Sequence, residues 1–177
     1  MLRGNNPAKV DEKGRLKIPA AFLEELKGYG DQFYVTSETG EYARIFPMKV
    51  WEEIESKLSR LSSHNRTKQK FLTWTNYYGQ AVGIDGQGRI LIPPVLREAA
   101  LMKGDVDVMG HLTYLDVWNH GRQLENLKKG GRIGGAKAML GSMQILILPS
   151  AGGFFQGGWI VILPKVRISK EVPDSQS

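Results

Sequence analysis

The chain has no cysteine among its 177 residues, which excludes disulfides and thiolate-metal sites and makes a reducing cytoplasm the expected setting. Histidine is scarce: His64, His111 and His120 stand in neither H-x-x-x-H nor H-E-x-x-H spacing, so neither a metal nor a cofactor is expected. Apolar residues never run on for the roughly 18 positions a membrane span needs. Nor does a charged-then-apolar leader open the chain, so no membrane or secretory role is expected. Acidic residues run short only near the end. Residues 1–121 carry 16 Lys/Arg against 15 Asp/Glu, whereas residues 122–177 carry 8 against 3, which concentrates the net charge of +6 there. Such a basic balance favours anionic partners, nucleic acid first, unless it is simply a solvated tail. A 41% hydrophobic content is enough for a core in one domain or two small packed units.

What the chain does have is a phrase written twice. "VDEKGRLKIP" at residues 10–19 returns as "IDGQGRILIP" at residues 84–93, and Asp11/Asp85, Gly14/Gly88, Arg15/Arg89, Ile18/Ile92 and Pro19/Pro93 all match at one offset of 74. Similarity continues past the prolines. "AAFLEEL" and "PVLREAA" read as short helices, and strands follow at 33–36 and 106–110, then at 42–46 and 114–117. Trp51 and Trp118 come next, and aligning them makes the second copy about seven residues tighter. This is an internal duplication. Each copy reads as strand, turn, strand, short helix and hairpin, with Leu16, Ile18 and Ile90, Ile92 alternating as half-buried strands do. Gly14 and Gly88 stand where the chain reverses and a positive φ is called for. Asp11 and Asp85 are placed to accept turn amides, and Pro19 and Pro93 suit the first position of a helix.

Two helical segments separate the copies. "PMKVWEEIESKLSRLSS" sets Val50, Ile54, Leu58 and Leu61 on one face, and "RTKQKFLTWTNYYG" does the same with Phe71, Trp74 and Tyr78. The reading is a helical hairpin that packs the copies together, its aromatic stripe forming core rather than a ligand site. The last fifty residues differ in kind. "KKGGRIGGAKAMLGS" is a Gly-rich basic linker or arm, and "MQILILP" and "GWIVILP" flank "SAGGFFQGG" as a hairpin or an aggregation-prone addition. Lys137 follows glycines but lacks the G-x-x-x-x-G-K-[ST] frame, so a P-loop is rejected.

The repeated arginines carry the functional expectation. Arg15 and Arg89 each sit one residue past a turn glycine in equivalent half-domains. If the halves pair about a pseudo-twofold axis, both emerge on one face. A guanidinium fork can grip a phosphate or the O6/N7 edge of guanine, and a β-rich element can carry it into the major groove. Alternatively each arginine locks its own turn by pairing with the aspartate four residues earlier, and the two roles can coexist. Lys13 and Lys17 around Arg15 give the first loop more phosphate affinity than Gln87 and Leu91 give the second, while Gln87 could read an adenine edge. The candidate DNA contacts are therefore Lys13, Arg15, Lys17, Gln87 and Arg89, with Asp11, Gly14, Asp85 and Gly88 shaping the turns. An enzyme is not expected. Asp11 and Asp85 lack the Asp-Thr/Ser-Gly turn of an aspartic-protease dyad, each has a cation nearby, and no triad pattern stands out.

The two D-x-x-x-G-R motifs, each followed by an aliphatic strand and proline, the opening "MLRG" and the "WEEIESKLSRLSS" helix together resemble the bacterial MraZ proteins, within the wider AbrB/SpoVT class of swapped-hairpin DNA binders. The likeness covers roughly residues 1–120. It implies an α+β, mainly β fold: tandem AbrB-like swapped-hairpin halves forming a pseudo-twofold β-barrel, with a helical hairpin between the copies. The first repeat is expected at 1–48, the helical linker at 49–79, the second repeat at 80–120, and an atypical extension, partly disordered or hairpin, at 121–177. The resemblance further implies a cytoplasmic, nucleoid-associated transcriptional regulator. Such a protein binds promoter direct repeats of double-stranded DNA at the division and cell-wall gene cluster. It acts as a ring-shaped homo-oligomer in which avidity raises affinity by about two to four orders of magnitude. Arg15 and Arg89 carry over as its DNA contacts. The alternative is an AbrB-type antitoxin or protein-interaction module. Sequence after Trp118 departs from the family pattern, in which polar helical sequence follows and the chain soon stops.

Overall fold

The computed structural model describes residues 1–129; the Gly-rich stretch beyond them, both apolar runs and Lys137 lie outside the described residues. The first copy supplies β1 (Leu2–Val10), β2 (Arg15–Lys17), α1 (Ala20–Lys27), β3 (Gln32–Thr36) and β4 (Ala43–Pro47). Helices α2 (Met48–Ser59) and α3 (Arg66–Tyr77) follow. The second copy supplies β5 (Gln80–Gly83), β6 (Arg89–Leu91), α4 (Pro94–Ala99), β7 (Gly104–Leu112) and β8 (Tyr114–Asn119), and α5 (His120–Lys129) comes last. All eight strands form one antiparallel sheet in the order β5-β3-β4-β8-β7-β1-β2-β6. Its two edges meet where Ile84, just past β5, bridges Ile90 in β6, so the sheet nearly closes into a barrel.

The pairing is exchanged between copies. β1 runs beside β7 from Leu2↔Leu112 to Val10↔Gly104, and its counterpart β5 runs beside β3. The Val10↔Leu16 pair in the first copy has its equivalent in the Ile84↔Ile90 bridge of the second. A pseudo-twofold axis therefore passes through the two self-matching seams. At β2/β6 it passes between Leu16 and Ile90, and at β4/β8 between Arg44 and Asp116. In the strand order these seams lie on opposite sides of the barrel.

Inward-facing residues of both copies fill the middle: Leu16, Ile18, Phe33, Val35 and Ile45 from the first, Ile90, Ile92, Val106, Val108 and Leu115 from the second. Phe22 and Leu26 of α1 and Leu96 of α4 close the core from outside the sheet. Each such large side chain contributes about 1.5–3 kcal/mol on burial, and the one core draws them from both copies.

Four expectations change on contact with the structure. Trp51 and Trp118 are not equivalent: Trp51 lies in α2 against Tyr34 (ring centroids 4.4 Å apart) and Phe46 (5.2 Å), whereas Trp118 lies in β8. Across the axis the partner of Trp118 is Phe46, since Trp118 stacks on Tyr42 at 4.8 Å as Phe46 contacts Tyr114 at 4.9 Å. The helical hairpin buries its aromatic stripe only in part: Phe71 and Tyr78 are half-buried, Tyr78 packing against the core, while Trp74 is exposed. α2 packs on β3 and β4 through Trp51, and α3 is tied to β3 where Thr36 Oγ1 donates to the Thr75 carbonyl at 2.6 Å. Trp74 and Leu61 stay 38% and 46% exposed, because the hairpin rests on the outside of one sheet face rather than between the copies. Pro19 and Pro93 occupy the N-cap, one residue before the first helical position. Finally, residues 121–129 belong to α5, started by Asn119, whose Oδ1 accepts the Arg122 amide at 3.1 Å, and seated by buried Gln123.

The β4/β8 seam sets a charged pair on the axis. Arg44 donates through Nε and Nη2 to the two carboxylate oxygens of Asp116 at 2.7 and 3.0 Å, and through Nη1 to Glu38 at 2.8 Å. Its guanidinium lies over Tyr42 (5.1 Å) and Tyr114 (4.5 Å). Burial by itself lowers an arginine's pKa, but the Asp116 hydrogen bonds and charge outweigh it and hold Arg44 above its ordinary value. With Arg44 only 16% and Asp116 7% exposed, solvent screens the pair weakly. Asp116→Leu alone should lower the unfolding free energy by about 3 kcal/mol, because a seam cation loses its main partner. Arg44→Leu/Asp116→Leu together should recover most of that loss, and urea unfolding of both variants beside the wild type measures it.

Candidate nucleic-acid interface

At the opposite seam, β2 and β6 set the two repeated turns side by side with Lys17 across from Arg89 and Arg15 across from Leu91. The turns are built alike. The Asp11 amide donates to the Arg15 carbonyl at 3.0 Å and the Gly14 amide to the Asp11 carbonyl at 2.9 Å; Asp85, Arg89 and Gly88 repeat this at 2.9 and 2.9 Å. Gly14 and Gly88 adopt φ of 81° and 71°, the left-handed region that a Cβ makes costly by roughly 1–2 kcal/mol. The turns also grip each other. The Ile18 amide donates to the Gly88 carbonyl at 3.0 Å and the Ile92 amide to the Gly14 carbonyl at 2.9 Å.

Each aspartate organises its turn and its arginine at once. Asp11 Oδ1 accepts the Lys13 and Arg15 amides at 3.0 and 2.9 Å, while Oδ2 accepts Arg15 Nε at 2.7 Å. Asp85 does the same with the Gln87 and Arg89 amides at 2.9 and 3.0 Å and Arg89 Nε at 2.7 Å. Only Nε is used. The terminal nitrogens of both guanidiniums make no hydrogen bond to any described residue, so the fork stays available to an anion or a base edge. The Arg15 amide chiefly holds the Asp11 carboxyl below its ordinary value; desolvation opposes it, and the Arg15 guanidinium and Lys13 amide add to the lowering. For Asp85 the largest influence is desolvation, which raises it, but the Arg89 side chain with the Arg89 and Gln87 amides outweighs that and lowers it.

Lys13 and Gln87 are exposed on their turns. Lys17 reaches across the seam, its ammonium donating to the backbone carbonyl of Gln87, so this charge of the first copy joins the second turn. Arg97 was not singled out from the sequence. It comes from α4 to lie against Gly14, where a Cβ would meet its Cζ at 2.9 Å and its Cδ at 3.1 Å. At the equivalent place in the other half Leu23 of α1 lies against Gly88, with Cδ2 3.3 Å from such a Cβ. Only the identical spacing of Leu23 and Arg97 in "AAFLEEL" and "PVLREAA" could have pointed to this. Among the described residues no three His, Asp or Glu side chains converge as a metal site needs, and no helix is long and apolar enough to cross a membrane.

A family model described as "MraZ protein, putative antitoxin-like" matches residues 1–73 and 79–123, which takes in both turns, the helical hairpin except the end of α3, and the start of α5. The chain belongs to the MraZ family. Among its relatives, the transcriptional regulator MraZ of Koribacter versatilis is 54% identical over 130 residues, spanning 72% of this chain and 86% of the relative. The transcriptional regulator MraZ of Acidobacterium capsulatum is 49% identical over 129 residues, with 72% and 88% covered. That of Coxiella burnetii is 38% identical over 120 residues, with 67% and 79% covered. The family match thus takes in all eight strands of the barrel and both of its turns.

Both motif aspartates being lowered fixes the sign of their pH effect. Their contribution to stability is complete above the ordinary carboxylate value of 3.8 and is lost as pH falls through the lower native values. Wild type should therefore melt above Asp11→Asn/Asp85→Asn at neutral pH, and the gap should close below about pH 4. Thermal melts of both proteins from pH 7 to pH 2 check this.

Proposed function

We propose that this MraZ-family chain is a sequence-specific, DNA-binding transcriptional regulator whose reading face is the paired turns at the β2/β6 seam. The observation that carries the reading is the pair of guanidiniums, each tied to an aspartate by Nε and with its terminal nitrogens uncommitted to any described residue. Arg15 and Arg89 take the guanine-edge or phosphate role, Lys13 and Lys17 add phosphate attraction, and Gln87 reads a neighbouring base edge. The relatives' shared description as transcriptional regulators supports the same role. We further propose, from the motif resemblance, that the protein acts in the cytoplasm on the nucleoid, at the promoter of the division and cell-wall cluster. There it forms a ring-shaped homo-oligomer that engages several direct repeats of double-stranded DNA.

A second reading, an antitoxin or protein-interaction module, draws on the family description and on the open apolar stripe of Ile54, Leu58, Leu61 and Phe71 along α2 and α3. A stoichiometric partner on purification, without preference for promoter DNA, is its signature.

The test is a titration against duplex from upstream of the protein's own gene and against scrambled duplex. Wild type should prefer the former, and Arg15→Ala/Arg89→Ala should lose about 10-fold or more of that preference while melting as a folded protein. Equal binding of both duplexes by both proteins overturns the reading.

A further inference from the structure

Among the described residues Arg97 is a cation without a counterion. It is half-buried against the first turn, yet its guanidinium has no carboxylate or carbonyl partner among the described residues, whereas Arg15, Arg44 and Arg89 are each bonded to an acid. Partly desolvating a charge is unfavourable unless something pairs with it, and at this place the neighbours are Gly14 and, next in the chain, Arg15. An anion seated there would meet guanidiniums from both copies. The other half of the face is not built this way, because Leu23 fills the matching place over Gly88. Lys17 adds a cation there instead, but it is exposed and already bonded to the Gln87 carbonyl.

Resting on the DNA-binding reading above, we infer that Arg97 is a backbone-phosphate contact that completes the first turn's site from the other copy and makes the two halves of the interface unequal. One turn grips a phosphate through Arg97 and the other meets DNA with leucine at that position. A protomer then binds with a polarity, although its barrel is pseudo-twofold. The phosphate role follows from the residue's place. Arg97 lies against the turn glycine from α4, whose Leu96 is buried in the core, while the position one past the glycine, given above to base reading, is already held by Arg15.

The molecule supplies its own control for folding. Leucine at the equivalent site already packs over an equivalent glycine, so Arg97→Leu copies a contact the fold tolerates. The experiment measures the affinity of the full-length protein for promoter and scrambled duplex across a salt series. Wild type is compared with Arg97→Leu, Arg97→Lys and Leu23→Arg, each checked by thermal melting. Arg97→Leu should lower the slope of log affinity against log salt by about 0.9, so that between 50 and 200 mM salt it loses about 3–4-fold less affinity than wild type. Its preference for promoter over scrambled DNA should be unchanged. Arg97→Lys should keep the wild-type slope, and Leu23→Arg should steepen it by a similar amount. An unchanged slope in folded Arg97→Leu, with promoter preference intact in wild type, overturns this inference alone. A loss of preference at constant slope also overturns it, since Arg97 would then be reading a base. Absence of preference in wild type overturns the regulator reading and this inference together.

Discussion

Exchange of strands between the copies is the constraint from which the rest follows. β1 finds its nine-residue partner in β7, and β5 finds its own in β3, so each half hands a strand to the other and neither can satisfy its ladder alone. Closure through Ile84 and Ile90 then removes the last long edges. The same exchange brings the two D-x-x-x-G-R turns onto one seam, where Ile18 and Ile92 clamp each to the other's glycine carbonyl. The face proposed to meet DNA is therefore a by-product of how the barrel closes, and its turns are held to the strands that enclose the core.

Duplication within one chain permits what a symmetric dimer of single copies would not. On a true twofold axis a residue faces itself, and two arginines in the β4/β8 seam would repel. Here the axis sets Arg44 against Asp116, and the flanking pairs have diverged more conservatively, Tyr42 with Tyr114 and Phe46 with Trp118. Where a symmetric dimer would set like charges together, this chain sets a bidentate ion pair under flanking tyrosines that makes the two halves unequal. The opposite seam diverged less: Leu16 faces Ile90, apolar against apolar.

Much of this was legible in the sequence because it is local. An Asx turn, a glycine at positive φ and an aspartate reaching the arginine four residues on all lie within one short phrase, and the offset of 74 announced the duplication. What stayed hidden crosses between copies. Lys17 reads as a neighbour of Arg15 along the chain, yet its ammonium reaches Gln87; Arg97 reads as an ordinary helix surface residue, yet it covers Gly14. The misplaced tryptophan equivalence has the same origin. Sequence spacing matched two tryptophans by type, whereas strand register matches Trp118 with Phe46 and leaves Trp51 to α2. The partial cover of the stripe on α2 and α3 was hidden for another reason. Periodicity reports that a helix has an apolar face, not how much of that face the fold covers.

The division of labour inside each turn explains why the repeated residue is arginine rather than lysine. The aspartate accepts two amides through Oδ1, and its charge, held by a lowered pKa, favours a cation nearby. A lysine could supply that charge, but a single ammonium held by the carboxylate would be a poor reader of anything else. Arginine separates the tasks, since Nε satisfies the aspartate at 2.7 Å in both turns while the planar far end remains uncommitted. The carboxylate thus removes the side-chain freedom that binding would otherwise have to remove, at no loss of donors on the reading side. Structural pairing takes one end of the guanidinium and leaves the other for the proposed recognition, and the aspartate four residues earlier is what turns a flexible surface arginine into a positioned one.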